Sequence, residues 1–101
     1  ETVLPLSYAR FADEALVVQD FDFTSLTLRS RRSGHSVRAR FEGFPYLGLW
    51  TAGPGAEFVC IEPWHGRAGS VGPAGELADK PGIMSLNAGQ QFITSYSFTI
   101  A

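Results

Sequence analysis

Cysteine is almost absent from this chain of 101 residues, in which Cys60 is the only one. A single cysteine excludes an internal disulfide framework of the kind that stabilises small secreted domains. Nothing in the sequence therefore points to an oxidising compartment, and we expect a cytoplasmic protein.

Long apolar runs and a strong charge of either sign are also missing. No apolar run approaches the roughly 20 residues that a helix needs to cross a bilayer, and no secretory leader pattern opens the sequence. The formal net charge is −2, with an isoelectric point near 5.6. This charge balance argues against nucleic acids and anionic membranes as dedicated partners.

Histidine is scarce as well, since the chain contains only His35 and His65. Cys60, Glu62 and His65 are close in sequence, but a metal site usually needs three or four converging ligands. A cysteine within an apolar strand is normally a buried small hydrophobic residue and not a nucleophile. We therefore expect neither a metal site nor a Cys–His catalytic pair.

What the sequence does contain is alternation of apolar and polar residues, with hydrophobic residues making up 45% of the chain. A period of two is typical of strands that are half-buried in a sheet. Strands are predicted in six segments: Ala15–Val18, Leu26–Arg29, Val37–Glu42, Tyr46–Thr51, Phe58–Glu62 and Gln91–Ile100. Residues 1–101 are thus predicted to form a single all-β unit, an antiparallel β-sandwich.

The connections between these strands carry their own signals. Arg31-Arg32-Ser33-Gly34 separates the second and third predicted strands and predicts a hairpin, because its glycine can adopt a positive φ. Helical spacing is weak, and only Ser7–Glu14 predicts a short helical turn. From Gly66 to Gly82 the chain is rich in glycine and proline, which predicts a loop longer than the usual limit of about 12–15 residues, and such loops often carry function.

The stretch with the clearest chemical interest is FVCIEPWHGR, residues 58–67. Glu62 directly follows its apolar residues and precedes Pro63, which is predicted to end the strand. Because side chains alternate along a strand, Cys60 and Glu62 should point to one face and Ile61 to the other. A carboxylate at such a position can act as a general base, although most glutamates at strand ends are simply solvated.

The two tryptophans have different predicted roles. Trp64 lies beside the carboxylate, where an aromatic face could hold a sugar ring, but a tryptophan with its N–H paired is also a common core residue. Trp50 is predicted to belong to the core.

Three segments together resemble a known family: FEGFPYLGLW at 41–50, FVCIEPWHGRA at 58–68 and KPGIMSLNAGQQFITSYSFTI at 80–100. They look like the C-terminal part of galactose-mutarotase-like proteins, the aldose 1-epimerase family, and in particular of its LacX-like branch. The resemblance extends from about Leu4 to the end of the chain.

This resemblance implies a fold, an activity and a partner. The family folds as a large β-supersandwich, so the chain would form its C-terminal portion and would need an N-terminal segment or chain of the same protein. The implied reaction interconverts the α and β anomers of a monosaccharide, without cofactor or metal. A glutamate takes the proton of the anomeric hydroxyl while a histidine protonates the ring oxygen.

The resemblance also assigns residues. The general base falls on Glu62, and Trp64 becomes a wall of the sugar site. A second carboxylate that holds sugar hydroxyls corresponds to Asp13 or Glu14, of which we favour Asp13. A glutamine found in some family members is replaced here by Gly48, which removes one sugar contact.

The catalytic histidine is not assigned within this chain. In the family it belongs to a part of the fold that precedes Glu1, and neither His35 nor His65 matches it. Two alternatives to an isomerase stay open: a carbohydrate-binding module without turnover, in which Glu62 and Trp64 only recognise a sugar, and a purely structural β-sandwich fragment.

Overall fold

The structure, a computed structural model, describes residues 3–12, 14–68 and 75–101. Within these ranges the strands are β1 (Leu16–Gln19), β2 (Ser25–Arg29), β3 (Ser36–Arg40), β4 (Tyr46–Trp50), β5 (Cys60–Trp64) and β6 (Ser97–Ile100). Two short 3-10 helices, Tyr8–Phe11 and Leu77–Asp79, complete the regular structure. No helix in the described ranges is long and apolar enough to cross a membrane.

The strands form two antiparallel sheets of three strands each. One sheet has the order β1-β4-β5 and the other has the order β2-β3-β6. The predicted all-β, sandwich-like class is therefore confirmed.

The β2–β3 connection is the hairpin that the sequence predicts. Leu26 pairs with Ala39, and the Ser30 amide donates a hydrogen bond to the His35 carbonyl (2.9 Å). The Ser30 hydroxyl oxygen accepts hydrogen bonds from two amides inside the turn. Gly34 has a φ of +79°, which is the left-handed conformation that glycine adopts at little cost.

The hydrophobic core lies between the two sheets and is small. Its buried members come from β3, β4 and the turn that joins these strands: Ala39, Phe41, Phe44 and Leu47. Val18, Phe21, Leu26 and Ile61 pack against them and are partly buried. The Phe41 ring meets the Phe21 ring edge to face, with centroids 5.8 Å apart, so an aromatic contact closes one end of the core.

β5 differs from the predicted strand at both ends. It begins at Cys60 and continues through Pro63 to Trp64, so Pro63 does not end the strand and Glu62 lies at its centre. Pro63 pairs with Leu47. Since β5 is an outer strand of the described sheet, the donor that proline lacks can point away from the neighbouring strand, and this explains the error.

β6 is shorter than the predicted strand, with four residues, Ser97–Ile100, where ten were expected. β3 ends at Arg40, and a turn follows in which the Phe44 amide donates to the Phe41 carbonyl (3.2 Å). Ser97 pairs with Arg40, so the residues before Ser97 have no strand of this sheet to pair with.

Gly82, Phe92 and Thr94 lie instead against His65, just beyond β5. The His65 ring lies 4.2 Å from the Phe44 ring and 5.0 Å from the Phe92 ring, measured between centroids. Its Nε2 atom is 2.9 Å from the Thr94 hydroxyl oxygen. Gly82 approaches so closely that an added Cβ would lie 2.6 Å from the His65 carbonyl oxygen. The predicted long loop is thus docked at this end, while its residues 69–74 lie outside the described residues.

We expect Gly82→Ala to lower the free energy of unfolding by about 1–3 kcal/mol, because alanine is strained at positive φ and its Cβ would contact backbone. The φ of Gly82 is +85°. Urea denaturation followed by circular dichroism measures the effect. Gly75→Ala is the control, since its Cβ would meet no atom within 4 Å. Equal losses in both variants would contradict the close packing at Gly82.

Candidate functional site

The candidate site lies on the face of the β1-β4-β5 sheet that points away from the core. Ile61 packs against the core, so by alternation Cys60, Glu62 and Trp64 point to the opposite face. Their partners on β4 are Trp50, Gly48 and Tyr46, in that order. Glu62 and Trp64 are therefore neighbours on one face, about 7 Å apart along the strand.

Glu62 stands opposite a residue that has no side chain. Its partner on β4 is Gly48, and the carboxylate has no hydrogen-bond or ion-pair partner within the described part of the chain. Glu62 is half-buried. A carboxylate of this kind keeps its lone pairs available to a ligand that approaches the sheet.

The Trp64 ring fills the space that Gly48 leaves open. A Cβ added at Gly48 would lie 2.6 Å from Cζ2 of Trp64 and 3.0 Å from its Cε2 and Cη2. The indole therefore rests on the backbone of β4, and Gly48 itself is buried beneath it. Glycine at position 48 is what allows the ring to lie this close to the sheet.

A shallow cleft of about 330 Å³ opens beside Trp64, at the lower end of the range for small-molecule pockets. Arg67, Lys80 and Ile83 line it together with the indole. The guanidinium carbon of Arg67 lies 5.9 Å from the centre of the Tyr46 ring, a cation–π distance. Its Nε atom is enclosed and has no hydrogen-bond partner among the described residues. A buried donor without a partner is rare in folded proteins and is a natural contact for a ligand oxygen.

Not every residue predicted for the site can be placed here. Asp13 lies outside the described residues, and the alternative carboxylate Glu14 is exposed just before β1. Trp50, predicted as a core residue, is 37% exposed and lies on the Glu62 face. The prediction failed there because β4 alternates, and Leu47 and Leu49 occupy the core-facing positions.

His65 has a packing role in this structure. Its ring is held by two aromatic side chains and a threonine hydroxyl, as described above. Among the described residues no group of three or more His, Cys, Asp or Glu side chains is placed to hold a metal ion.

Sequence reasoning missed Arg67 and Lys80. Arg67 is the last residue of the FVCIEPWHGR stretch, but Lys80 is separated from it by the loop, and only the fold brings the two to one cleft. The composition of the loop gave no signal for this, because a glycine- and proline-rich segment does not reveal where its ends dock.

Two LacX proteins of Lactococcus lactis subsp. lactis, one chromosomal and one encoded on a plasmid, match this chain. Each is 35% identical to it over 97 residues, which is 96% of the chain. The chain is homologous to LacX proteins. The match covers 32% of either protein, so the chain spans about a third of the length of these LacX relatives. No family model and no solved structure matches the chain.

Replacing Gly48 by alanine should displace the Trp64 ring, because the new Cβ cannot coexist with Cζ2 at 2.6 Å. In a Trp50→Phe background Trp64 is the remaining tryptophan of the chain's two, so its fluorescence reports on the displacement. We expect a red-shifted emission and faster quenching by acrylamide.

Gly66→Ala is the matched control for this experiment. It lies two residues from Trp64, and its Cβ would meet no atom within 4 Å. Identical spectra for Gly48→Ala and Gly66→Ala would show that the indole does not rest on position 48.

Proposed function

We propose that this chain carries the catalytic base of an aldose 1-epimerase-like isomerase, which interconverts the α and β anomers of a monosaccharide. The observation that supports this most directly is the common face of Glu62 and Trp64, with Gly48 opposite Glu62 on the neighbouring strand and beneath the Trp64 ring. A carboxylate next to a half-buried indole offers both contacts that a sugar ring needs, one for hydroxyls and one for C–H groups.

In the proposed reaction, the Glu62 carboxylate accepts the proton of the anomeric hydroxyl. The bond between the anomeric carbon and the ring oxygen then breaks, and the ring oxygen takes a proton from an acid. The resulting aldehyde rotates about the adjacent carbon–carbon bond, and the ring closes on its other face as the two proton transfers reverse. Each group returns to its starting state, as general acid–base catalysis requires.

The acid of this reaction is proposed to come from polypeptide outside this chain. His35 is exposed at the β2–β3 hairpin, in the other sheet. His65 is engaged by Phe44, Phe92 and Thr94. Neither ring has a hydrogen bond to Glu62 among the described residues, and the proposal follows the resemblance, in which the histidine belongs to an earlier part of the fold.

Arg67 supports the proposed binding mode from the other side of the indole. Its enclosed Nε donor and the Lys80 ammonium border the cleft that begins at Trp64. A sugar seated on the indole would place oxygens toward these donors while its anomeric centre lies toward Glu62. Two positive charges lining the cleft favour an oxygen-rich ligand.

The alternative function is a carbohydrate-binding module without turnover. It is favoured by the aromatic character of the same face, which also carries Tyr46 and the exposed Trp50. In that case Glu62 accepts hydrogen bonds from a sugar and transfers no proton.

The test uses a chimera in which this chain replaces the matched third of Lactococcus lactis LacX. Polarimetry of a freshly dissolved aldose measures anomer interconversion. We expect Glu62→Gln to lower the rate constant kcat by about 10²–10⁴-fold, the usual contribution of a general base. The amide retains the shape of the side chain but cannot accept the proton.

Glu57→Gln serves as the control, since Glu57 is exposed in the β4–β5 loop and its replacement should leave the rate unchanged. If the Glu62→Gln variant interconverts the anomers at the same rate as the unmodified chimera and also binds sugar, the binding module is the better account. If sugar binding is also absent from the unmodified chimera, only the structural interpretation is left.

Removal of the Trp64 indole tests whether this ring holds the sugar. We expect Trp64→Ala in the chimera to raise KM roughly two- to tenfold, in line with about 0.5–1.5 kcal/mol for an aromatic contact. Trp64→Phe, which keeps a ring over Gly48, should lose less. An unchanged KM in Trp64→Ala would exclude the indole from the binding site.

A further inference from the structure

The cleft beside Trp64 is lined by two positive charges and, among the described residues, by no negative one. Arg67 and Lys80 are its charged lining residues. Residues 66–75, which include the loop segment outside the described ranges, contain no aspartate or glutamate, and Asp79, the neighbour of Lys80 in sequence, does not line the cleft. The chain as a whole has a net charge of −2, so the positive charge of this cleft is opposite in sign to the charge of the chain.

The guanidinium of Arg67 is positioned by the strand next to β5. Tyr46 of β4 pairs with Trp64, and the Tyr46 ring lies 5.9 Å from the guanidinium carbon of Arg67. A guanidinium donates hydrogen bonds in a fixed planar fork, which matches two oxygens of a phosphate or a carboxylate. Its enclosed Nε donor has no partner among the described residues, which costs free energy until an acceptor reaches it.

Lys80 is the first residue of a tight turn. The Ile83 amide donates a hydrogen bond to the Lys80 carbonyl (3.0 Å), and Gly82 has a φ of +85°. Proline at the second position and a glycine of positive φ at the third are typical of a type II turn, and Pro81 and Gly82 occupy these positions. The backbone that carries Lys80 therefore has a defined conformation.

This turn rests on the same tyrosine that contacts Arg67. A Cβ added at Gly82 would lie 2.6 Å from the His65 carbonyl oxygen and 3.2 Å from Cε2 of Tyr46. Tyr46 thus lies between the turn that begins at Lys80 and the guanidinium of Arg67. Contacts within this chain therefore bring the two cations to one cleft.

The proposed reaction restricts where a charged group can lie on the sugar. Glu62 has to meet a free anomeric hydroxyl, so an anionic group cannot be attached to that oxygen. Trp64 lies about 7 Å from Glu62 along β5, and Arg67 follows three residues later, beyond the end of the strand. A sugar with its anomeric centre at Glu62 and its ring on the indole therefore directs its remote end toward Arg67 and Lys80.

We propose that Arg67 and Lys80 form an anion subsite, and that the substrate is an aldose with a phosphate or carboxylate group at the end remote from its anomeric carbon. The inference rests on the function proposed above, because that function sets the orientation of the sugar. A phosphate ester and a carboxylate present the same chemistry to the subsite, namely charged oxygens for two cationic donors. The experiment separates these two groups.

The test measures sugar binding to the LacX chimera by isothermal titration calorimetry. Glucose and galactose are each titrated as the free sugar, as the 6-phosphate and as the uronic acid. We expect at least one anionic form to bind about tenfold or more tightly than its free sugar, because charge-assisted hydrogen bonds are the stronger ones. Raising the ionic strength should reduce this difference, since salt screens charges. Tighter binding of the 6-phosphate identifies a phosphate site, and tighter binding of the uronic acid identifies a carboxylate site.

Two variants connect this preference to the subsite. Arg67→Gln and Lys80→Gln should each weaken binding of the preferred anionic form about fivefold or more, and binding of the free sugar less than about twofold. Arg31→Gln is the matched control, because Arg31 is exposed in the β2–β3 turn, in the other sheet, and its replacement should change neither affinity. Lys80 is exposed, so its variant tests the subsite even if Arg67→Gln impairs folding.

The inference is overturned if free and anionic forms bind equally, if no form binds, or if Lys80→Gln weakens all forms alike. Equal binding is the result expected if acidic side chains of the remaining LacX polypeptide already pair with the two cations. Glu62→Gln separates this inference from the proposed function, because it should retain the preference for the anionic form while the rate falls. A retained preference with an unchanged rate would refute only the role of Glu62, and equal binding with a lowered rate would refute only the subsite.

Discussion

The burial of Leu47 between the two sheets is the constraint on which the rest of the arrangement depends. Leu47 and Phe41 are each only 1% exposed. Leu47 belongs to β4, and Phe41 is the first residue after β3. Once Leu47 points inward, Gly48 must point outward, because neighbouring side chains of a strand face opposite sides. The pairing of β4 with β5 then sets Glu62 beside Gly48. A slip of one residue would turn Glu62 toward the core, so the packing of a leucine fixes the position of the carboxylate.

The same small core leaves two surfaces of this short chain free of packing. The inner sides of β1, β4 and β5 are used for packing, which leaves their outer face free to carry polar and aromatic groups. The second sheet contributes Leu26 and Ala39 to the core, but its row through Leu28, Val37 and Ile100 extends past the first sheet. Apolar surface of this extent stabilises a fold only when something covers it. Packing thus divides the chain into a face that carries polar and aromatic groups and an end of the second sheet that the first sheet leaves uncovered.

The sequence predicted the features that depend on local pattern and missed those that depend on contacts between distant segments. Alternation located all six strands, and Gly34 located the hairpin, because both signals act within a few residues. The prediction that Pro63 ends β5 was wrong, because the effect of a proline depends on whether its strand is central or at an edge of the sheet. The local sequence does not contain that information. The length of β6 was overestimated because the alternation of Gln91–Ile100 continues beyond the point where β3 ends. Arg67 and Lys80 line one cleft because the chain returns after the loop to the end of β5, where Gly82 and Thr94 lie against His65.

Gly48 is interpreted differently from the sequence and from the structure. The resemblance implies that glycine stands here in place of a glutamine of some family members, without that residue's sugar contact. In the structure, the space of that side chain is occupied by the Trp64 ring, which could not lie there if position 48 had a Cβ. Under the proposed function, glycine at position 48 has two effects. It removes a hydrogen-bonding side chain, and it lets the Trp64 ring lie against the sheet. Recognition at this end of the site would then rest on the apolar face of the sugar, and the hydrogen bonds would come from Glu62 and Arg67 on either side of the ring.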